Sequence, residues 1–446
     1  MHGDTKLTNT YDQLSIKLSV LKFLVLFILS SLLLEANIQL IKKENNDSNT
    51  TLLVIGGIHG DEPGGYFAAS ILATHYTIKS KNIWVIPNLN KDSIQHDHRG
   101  IHGDMNRKFS TMKDSDKDAQ IIKEVKEIIL SKKVSLVLNL HDGNGFYRKK
   151  NHGNIFNPTA WGQTCVIDQC KLNQNQPFGN LNTIATTIKE NINKKLLQEH
   201  HSFDVKNTNT KFYDEAMKLS LTYFAVTNNK PAFAIESSKN LPSLSKKVFY
   251  QLLAIEEFMN IMQISFSRNF DLNVKDIDRI IKEYGTLTIN NNILLNLGDI
   301  KKSLSFIPIK SEDNVFDFSH PLGSVKKVGG RFFVYIGNEK ITALKPQYFK
   351  MADGCPEKIN IFIDAKTTSV DIASDFFVND DFRVIDDGEF RVNVIGYKSK
   401  DGVESGVDIS LKDMDKRFSV DTNQKVYRVE FYKKDEFCSM SMVHFK

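Results

Sequence analysis

Two residues able to bind a metal stand three positions apart near the start of the chain. His59 and Glu62 occur in the sequence GGIHGDEPGG, just after the apolar run TLLVIGG and where a helix should begin, since Pro63 suits a first helical turn. At this spacing, on a turn that enters a helix, an imidazole and a carboxylate point to the same side. A surface histidine beside a glutamate that complements a helix dipole gives the same pattern. The pair therefore indicates a metal site only if further ligands accompany it.

Two further residues of this kind follow predicted strands. His141 comes directly after VSLVLNL, and Glu236 closes the run AFAIE. Because the carboxyl ends of strands in an open α/β sheet share one crevice, we expect both to meet the first pair on a single rim. Two histidines and a carboxylate with an open fourth position form the ligand set of catalytic zinc, and another carboxylate can act as the base for water. The sequence therefore predicts a zinc site at this rim.

A cationic segment, RGIHGDMNRKF, lies between these residues and contains Arg99, Asn106 and Arg107. Guanidinium groups beside a metal suit an anionic substrate and a developing oxyanion. The histidines around Arg99, including His102, are interpreted as solvated loop residues rather than as metal ligands.

In order and spacing, these residues resemble the zinc carboxypeptidase (M14-like) superfamily over about residues 51–264. The resemblance implies that one zinc per chain is bound by His59, Glu62 and His141. It further implies that Arg99 polarises the oxyanion and that Glu236 is the catalytic acid and base. It also implies that Asn106 and Arg107 bind the terminal carboxylate of the substrate.

The short spacing between Arg99 and Asn106 resembles the spacing in the aspartoacylase and succinylglutamate desuccinylase branch of this superfamily. The layout of the whole chain more closely resembles the cell-shape D,L-carboxypeptidases of helical Gram-negative bacteria. That resemblance implies an enzyme that trims the peptidoglycan stem tripeptide (muramyl tripeptide) to dipeptide, releasing meso-diaminopimelate from γ-D-glutamate. Two alternatives are an N-acyl amino acid deacylase and a non-catalytic cell-wall binding or scaffold protein. Export and appended β-domains argue against the first, and the intact ligands with Glu236 argue against the second.

The elements that must position these residues alternate in type. Between about residues 51 and 264, short apolar runs such as NIWVI alternate with helical patterns such as AQIIKEVKEIIL. This rhythm predicts an α/β fold, a mixed sheet with helices on both faces, in a zinc carboxypeptidase domain over 45–268.

Two other residues have both a functional and an ordinary interpretation. Trp161 lies in a segment, 144–175, that we expect to be a long loop, and there it either forms a wall of the substrate site or packs the loop. Thr222 lies on the strand-like run LSLTYFAV, where it either binds a substrate amine or is an ordinary strand residue.

The remainder of the chain has short alternating strands with Gly and Asn turns. It predicts a small β-barrel or β-sandwich domain over 269–351 and an immunoglobulin-like β-sandwich domain over 352–446. These domains are candidates for binding cell-wall or periplasmic protein partners.

The N-terminal segment predicts export. Lys17 and Lys22 precede the apolar run FLVLFILSSLLL, which fits a signal peptide over 1–36 or an uncleaved anchor in the inner membrane. The expected location is the periplasm. That compartment would permit disulfides between Cys165 and Cys170 and between Cys355 and Cys438.

The composition of the chain limits the classes of protein to which it can belong. The chain has 446 residues, of which 41% are hydrophobic and 25% charged, and its net charge is +5. These values fit a multidomain globular protein and exclude a disordered chain and a polytopic membrane protein. Because the small positive excess forms no basic tract, nucleic acid is not expected as a partner.

Overall fold

The structure, a computed structural model, describes residues 38–45, 48–173, 175–385, 388, 390–399 and 402–446. The predicted signal peptide or anchor over 1–36 lies outside these residues. In the part that the structure does describe, no helix combines the length and apolarity needed to cross a membrane.

The first part of the described chain, up to Ile281, is an α/β unit. Its strands are β1 (Ile41–Lys43), β2 (Thr51–Ile55), β3 (Tyr76–Ile78), β4 (Asn82–Ile86), β5 (Val134–Gly143), β6 (Phe146–Tyr147), β7 (Phe156–Asn157), β8 (Thr164–Ile167), β9 (Asp204–Asn207), β10 (Ala232–Ser238) and β11 (Phe266–Arg268). Its helices are α1 (Pro63–His75), α2 (Lys91–Gln95), α3 (Ala119–Leu130), α4 (Leu181–Asn193), α5 (Thr210–Tyr213), α6 (Leu221–Thr227), α7 (Leu244–Ile261) and α8 (Val274–Ile281).

The main sheet has the strand order β1-β4-β2-β5-β10-β8-β9. Strands β4, β2, β5 and β10 are parallel, whereas β1 and β8 run antiparallel to their neighbours β4 and β10. Every residue of β2 and β4 is buried, as expected for strands covered by helices on both faces. The predicted mixed α/β sheet is confirmed.

The parallel strands place the predicted site residues at one edge of the sheet. Glu236 of β10 lies in register with His141 of β5. The turn that follows β2 packs so closely on α2 that a Cβ atom on Gly60 would lie 2.1 Å from the backbone of Ser93. Glycine is therefore needed at this position, because it lets the turn bearing His59 approach the backbone of α2.

The rest of the described chain is β-rich. Its strands are β12 (Thr286–Ile289), β13 (Ile293–Asn296), β14 (Leu304–Ile309), β15 (Phe316–Phe318), β16 (Gly323–Val328), β17 (Arg331–Ile336), β18 (Glu339–Tyr348), β19 (Lys358–Ile363), β20 (Lys366–Asp371), β21 (Asp375–Val378), β22 (Asp381–Val384), β23 (Arg391–Val394), β24 (Ile409–Ser410), β25 (Val426–Lys433) and β26 (Glu436–Phe445).

These strands form three main sheets. Two have four strands each, in the orders β14-β18-β17-β16 and β20-β19-β22-β24, and the third has the order β15-β12-β13-β26-β25-β23 with β21 paired to β26. The β-rich character of this part is as predicted. The third sheet contains strands from both sides of residue 352, since β13 pairs with β26.

The β-rich part packs against the α/β unit. The side chain of Asn88 donates a hydrogen bond of 2.7 Å to the backbone oxygen of Pro321. Gly337 adopts a positive φ of 59°, and a Cβ there would lie 3.0 Å from the ring of Tyr66 in α1. The helix that follows the predicted metal-binding turn thus contacts the β-rich part directly.

One of the two permitted disulfides is present. Cys355 is bonded to Cys438 in β26, whereas Cys165 and Cys170 are free. Cys165 is buried within β8 and Cys170 is exposed, so the pairing permitted for them does not form.

Three local predictions were wrong. The run LSLTYFAV forms helix α6 rather than a strand, because the Ser220 hydroxyl accepts a hydrogen bond from Tyr223 N and caps the helix. The segment 144–175, predicted to be a loop, contributes β8 to the main sheet. The region predicted to be all-β after about residue 270 begins with α8, whose isoleucines are buried.

Candidate metal centre and active site

Three side chains able to bind a metal converge near the carboxyl ends of β2 and β5. His59 Nδ1 lies 2.9 Å from Glu62 Oε1, and His141 Nδ1 lies 2.8 Å from Glu62 Oε2. The ligand atoms of the three residues are within 4.8 Å of one another, and all three side chains are buried. The structure therefore brings together the three predicted ligands in the donor set of catalytic zinc.

The outer nitrogen of one ligand has a carboxylate partner that the sequence analysis missed. His59 Nε2 lies 2.8 Å from Asp104 Oδ1, and such a partner fixes the orientation and tautomer of a metal-binding imidazole. The sequence feature that could have identified this partner is the acidic residue Asp104, two positions before Asn106. It was not specific, because an aspartate that caps a short helix has the same position, and Asp104 does also accept a hydrogen bond of 2.9 Å from Asn106 N.

The charges in the site favour the ligating forms. Burial opposes ionisation of Glu62, but the charges and hydrogen bonds of the two histidines hold its pKa well below the usual range. Burial also disfavours protonation of His59, yet Glu62 and Asp104 outweigh burial and raise the pKa of His59 to about 9. At His141 burial dominates and lowers the pKa. A metal that binds here would therefore displace a proton from His59.

Glu236 faces the same cavity from the neighbouring strand. It is half-buried, and its backbone oxygen accepts a hydrogen bond of 2.7 Å from Gln163 N, which secures this part of β10. Burial, together with the negative charge of Glu62, raises the pKa of Glu236 well above the usual value for a carboxyl group. A carboxyl group in such surroundings is suited to taking up and releasing a proton.

Arg99 bridges two carboxylates of the site. Its Nη1 donates to Glu62 Oε1 at 3.1 Å, and its Nε donates to Asp104 Oδ2 at 3.0 Å. The side chain of Arg99 is 46% exposed. Because Nη2 takes part in neither bond, Arg99 can still donate to a substrate oxygen.

The adjacent residues Asn106 and Arg107 belong to a short 3-10 helix, Met105–Arg107. The side chain of Asn106 accepts a hydrogen bond of 3.0 Å from Leu221 N, at the start of α6. Arg107 Nη1 donates to the backbone oxygen of Asn106 at 3.1 Å. These bonds anchor Asn106 and Arg107, which both line the cavity.

The cavity has a volume of about 250 Å³, and its wall includes each predicted site residue except Thr222. Trp161 is part of that wall, and the ammonium of Lys206 lies 4.3 Å from the centre of its ring. Thr222 is buried in α6, with its hydroxyl 3.3 Å from that of Ser220. The structure thus places Thr222 outside the cavity and Trp161 at its edge.

A mixed α/β sheet, with a His–Glu–His ligand set at the strand ends and a protonatable carboxyl group beside it, defines a metallopeptidase of the carboxypeptidase type. Comparison with known families identifies the particular group. The family described as carboxypeptidase controlling helical cell shape, catalytic, matches residues 18–282. The family described as C-terminal domain of metallo-carboxypeptidase matches residues 352–446. The chain belongs to this family of cell-shape carboxypeptidases, as the sequence resemblance implied.

Solved structures agree with this assignment. The chain is 34% identical to the cell shape determinant protein Csd4 from Helicobacter pylori, with 92% of this chain and 100% of that chain covered. The TM-score is 0.87 to the apo form and 0.87 to the tripeptide-bound form. The TM-score is also 0.87 to a form bound to mDAP, with 91% of this chain covered. Csd4 is described there as a D,L-carboxypeptidase. No curated protein matches the chain.

Proposed function

We propose that this protein is an exported, zinc-dependent D,L-carboxypeptidase that converts the peptidoglycan stem tripeptide to dipeptide by releasing meso-diaminopimelate from γ-D-glutamate. The observation that supports this most directly is the buried set of His59, Glu62 and His141 beside Glu236, in a cavity that also contains two arginines. Structures of the Helicobacter pylori relative with tripeptide and with mDAP support the choice of substrate.

The residues present fit zinc. The donors are two imidazole nitrogens and one carboxylate, and Asp104 supports the outer nitrogen of His59. When bound, zinc would supply a Lewis acid that polarises a carbonyl oxygen and acidifies water. One zinc per chain is therefore the proposed cofactor.

The proton transfers fall to Glu236. Since its pKa is raised, it can take a proton from the attacking water and then give that proton to the amine of the leaving diaminopimelate. Arg99 keeps Nη2 free of its two carboxylate bonds, so it can stabilise the oxyanion that forms as water attacks.

Arg107 and Asn106 bind a carboxylate of the leaving residue in this proposal. The carboxylate of diaminopimelate adjacent to the scissile amide is free in the tripeptide, and a guanidinium can bind it through two parallel hydrogen bonds. Trp161 borders the same cavity and would limit its width.

The location proposed for this reaction is the periplasm, where stem peptides are exposed. The signal peptide or anchor predicted over 1–36 supports export, and the disulfide between Cys355 and Cys438 is of the kind that forms in an oxidising compartment.

The direct test is incubation of the purified protein with muramyl tripeptide, followed by mass spectrometry. We expect muramyl dipeptide and free diaminopimelate in equal amounts, loss of the reaction after chelation, and its return on addition of zinc. The Glu236→Gln variant serves as the matched control. Intact tripeptide after incubation with the zinc-loaded enzyme would contradict the proposal.

A further inference from the structure

The cavity contains one cation with no role in the reaction described so far. Among the described residues of its wall, Arg99, Arg107 and Lys239 carry a fixed positive charge. The two arginines belong to the segment that follows α2, whereas Lys239 directly follows β10 and stands three residues after Glu236. Lys239 therefore enters the cavity wall from a different part of the fold than the two arginines do.

Lys239 is held in place by its backbone and by a single carboxylate. Its N–H donates to the backbone oxygen of Gly143 at 2.8 Å, and its Nζ donates to Asp61 Oδ2 at 2.6 Å. Asp61 lies between the two metal-binding residues of the turn after β2. The side chain of Lys239 is 28% exposed and that of Asp61 31% exposed, so solvent reaches the ion pair. Of the two residues, Lys239 lines the cavity.

The proposed substrate has an anionic group on the acyl side that needs a partner. In γ-D-glutamyl-diaminopimelate the glutamate is linked through its side-chain carboxyl, so its α-carboxylate stays free, four carbon–carbon bonds from the scissile carbonyl carbon. On the leaving side, Arg107 binds the carboxylate of diaminopimelate in the mechanism above, and Arg99 binds the oxyanion. These assignments leave Lys239 as the cationic side chain of the described wall that is available for the glutamate.

We infer that Lys239 binds the free α-carboxylate of the γ-linked D-glutamate and so determines specificity on the acyl side of the scissile bond; this inference rests on the proposed function. An ammonium has three donors on a flexible stem. It can therefore keep its bond to Asp61 while it donates to a substrate carboxylate. Asp61 positions the ammonium at the wall, and the pair selects substrates that bring a second negative charge.

The test compares two tripeptides that differ only in this carboxylate. One is L-Ala-γ-D-Glu-diaminopimelate, and the other has the glutamate α-carboxylate converted to an amide. The zinc-loaded wild-type enzyme should prefer the free acid by roughly 10- to 100-fold in kcat/KM, the range expected for a hydrogen bond between charged groups. Lys239→Gln should lose most of that preference by cleaving the free acid more slowly while its rate on the amide changes little. Lys239→Arg should keep the preference.

The control is Lys350→Gln, which also breaks a 2.6 Å ion pair, with Glu436, but lies outside the cavity wall. It should leave both rates unchanged. Equal cleavage of the two tripeptides by the wild type, or an equal loss on both in Lys239→Gln, would overturn the role of Lys239 while leaving the proposed function intact. A wild-type enzyme that cleaves neither tripeptide would overturn both.

Discussion

His59 Nε2 and Asp104 Oδ1 lie 2.8 Å apart, on the side of the imidazole away from Glu62. The ring is thereby held between two carboxylates, one on each nitrogen, with Nδ1 directed toward Glu62. Asp104 is in turn bonded to Arg99. The metal-binding turn and the segment proposed to bind the substrate are thus joined by one carboxylate.

This relationship predicts a loss of zinc affinity in Asp104→Ala. Removing the outer partner of a ligating histidine typically costs about 10- to 100-fold in metal affinity, and we expect a loss in that range, measured by competition with a chromophoric chelator. Asp278→Ala is the control, because Asp278 pairs with Lys282 on the surface of α8. Unchanged zinc affinity in Asp104→Ala would show that His59 does not depend on this bond.

The ligand set itself is tested at His141. His141→Ala should remove most of the zinc, since the metal would keep only His59 and Glu62 as protein ligands. His102→Ala should retain it, because His102 lies outside the group whose ligand atoms converge. Metal analysis of both variants after gel filtration decides the matter, and full zinc content in His141→Ala would contradict the ligand set.

Glu236 is predicted to move protons rather than to bind the metal. Glu236→Gln should keep zinc and affinity for tripeptide but lose about 10²- to 10⁴-fold in kcat, the usual contribution of a general acid or base. The two measurements are zinc content and single-turnover kinetics. Loss of zinc, or a rate equal to wild type, would refute this assignment.

Much of the site could be predicted because its residues lie at the ends of buried parallel strands. His141 and Glu236 are far apart in sequence, but the register of β5 and β10 makes them neighbours. The alternation of strands and helices in the sequence predicted that both would lie on one rim of the sheet. Asp104 and Lys239 could not be assigned in this way. A carboxylate before a short helix and a lysine after a strand are common in loops, and only the three-dimensional contacts distinguish them.

Two features of the fold could not be predicted from the sequence, because they depend on interactions that local sequence patterns do not show. The composition of LSLTYFAV favours a strand, but capping by Ser220 and the bond from Leu221 N to the Asn106 side chain make it a helix. The pairing of β13 with β26 joins residues almost 150 positions apart. No periodicity within either strand identifies its partner, so the shared sheet could not be predicted from the pattern.

The cysteines give a prediction about stability. Denatured, unreduced protein should have two titratable thiols, from Cys165 and Cys170. Cys438→Ser should destabilise the β-rich part by about 2–5 kcal/mol, the usual cost of losing a native disulfide, and thermal unfolding measures this loss. Cys170→Ser is the matched control, since that thiol is exposed and free. Four titratable thiols would show that the disulfide does not form.

The last prediction concerns Arg107 and the length of the stem peptide. If this guanidinium binds the carboxylate next to the scissile amide, Arg107→Lys keeps the charge but loses the bidentate geometry. We expect kcat/KM for tripeptide to fall. The loss of transition-state stabilisation calculated from the ratio of the two kcat/KM values should be about 1.5–3 kcal/mol.

In the pentapeptide, that carboxylate is joined to D-Ala, so wild-type enzyme should cleave it poorly, and Arg107→Lys should reduce this slow reaction little. The comparison of both peptides with both enzymes separates binding of the carboxylate from a general loss of structure, which would slow both reactions alike. The bond from Arg107 Nη1 to the backbone of Asn106 is a reason to include a thermal melt of the variant. Equal cleavage of tripeptide and pentapeptide by the wild type would refute carboxylate binding as the source of selectivity.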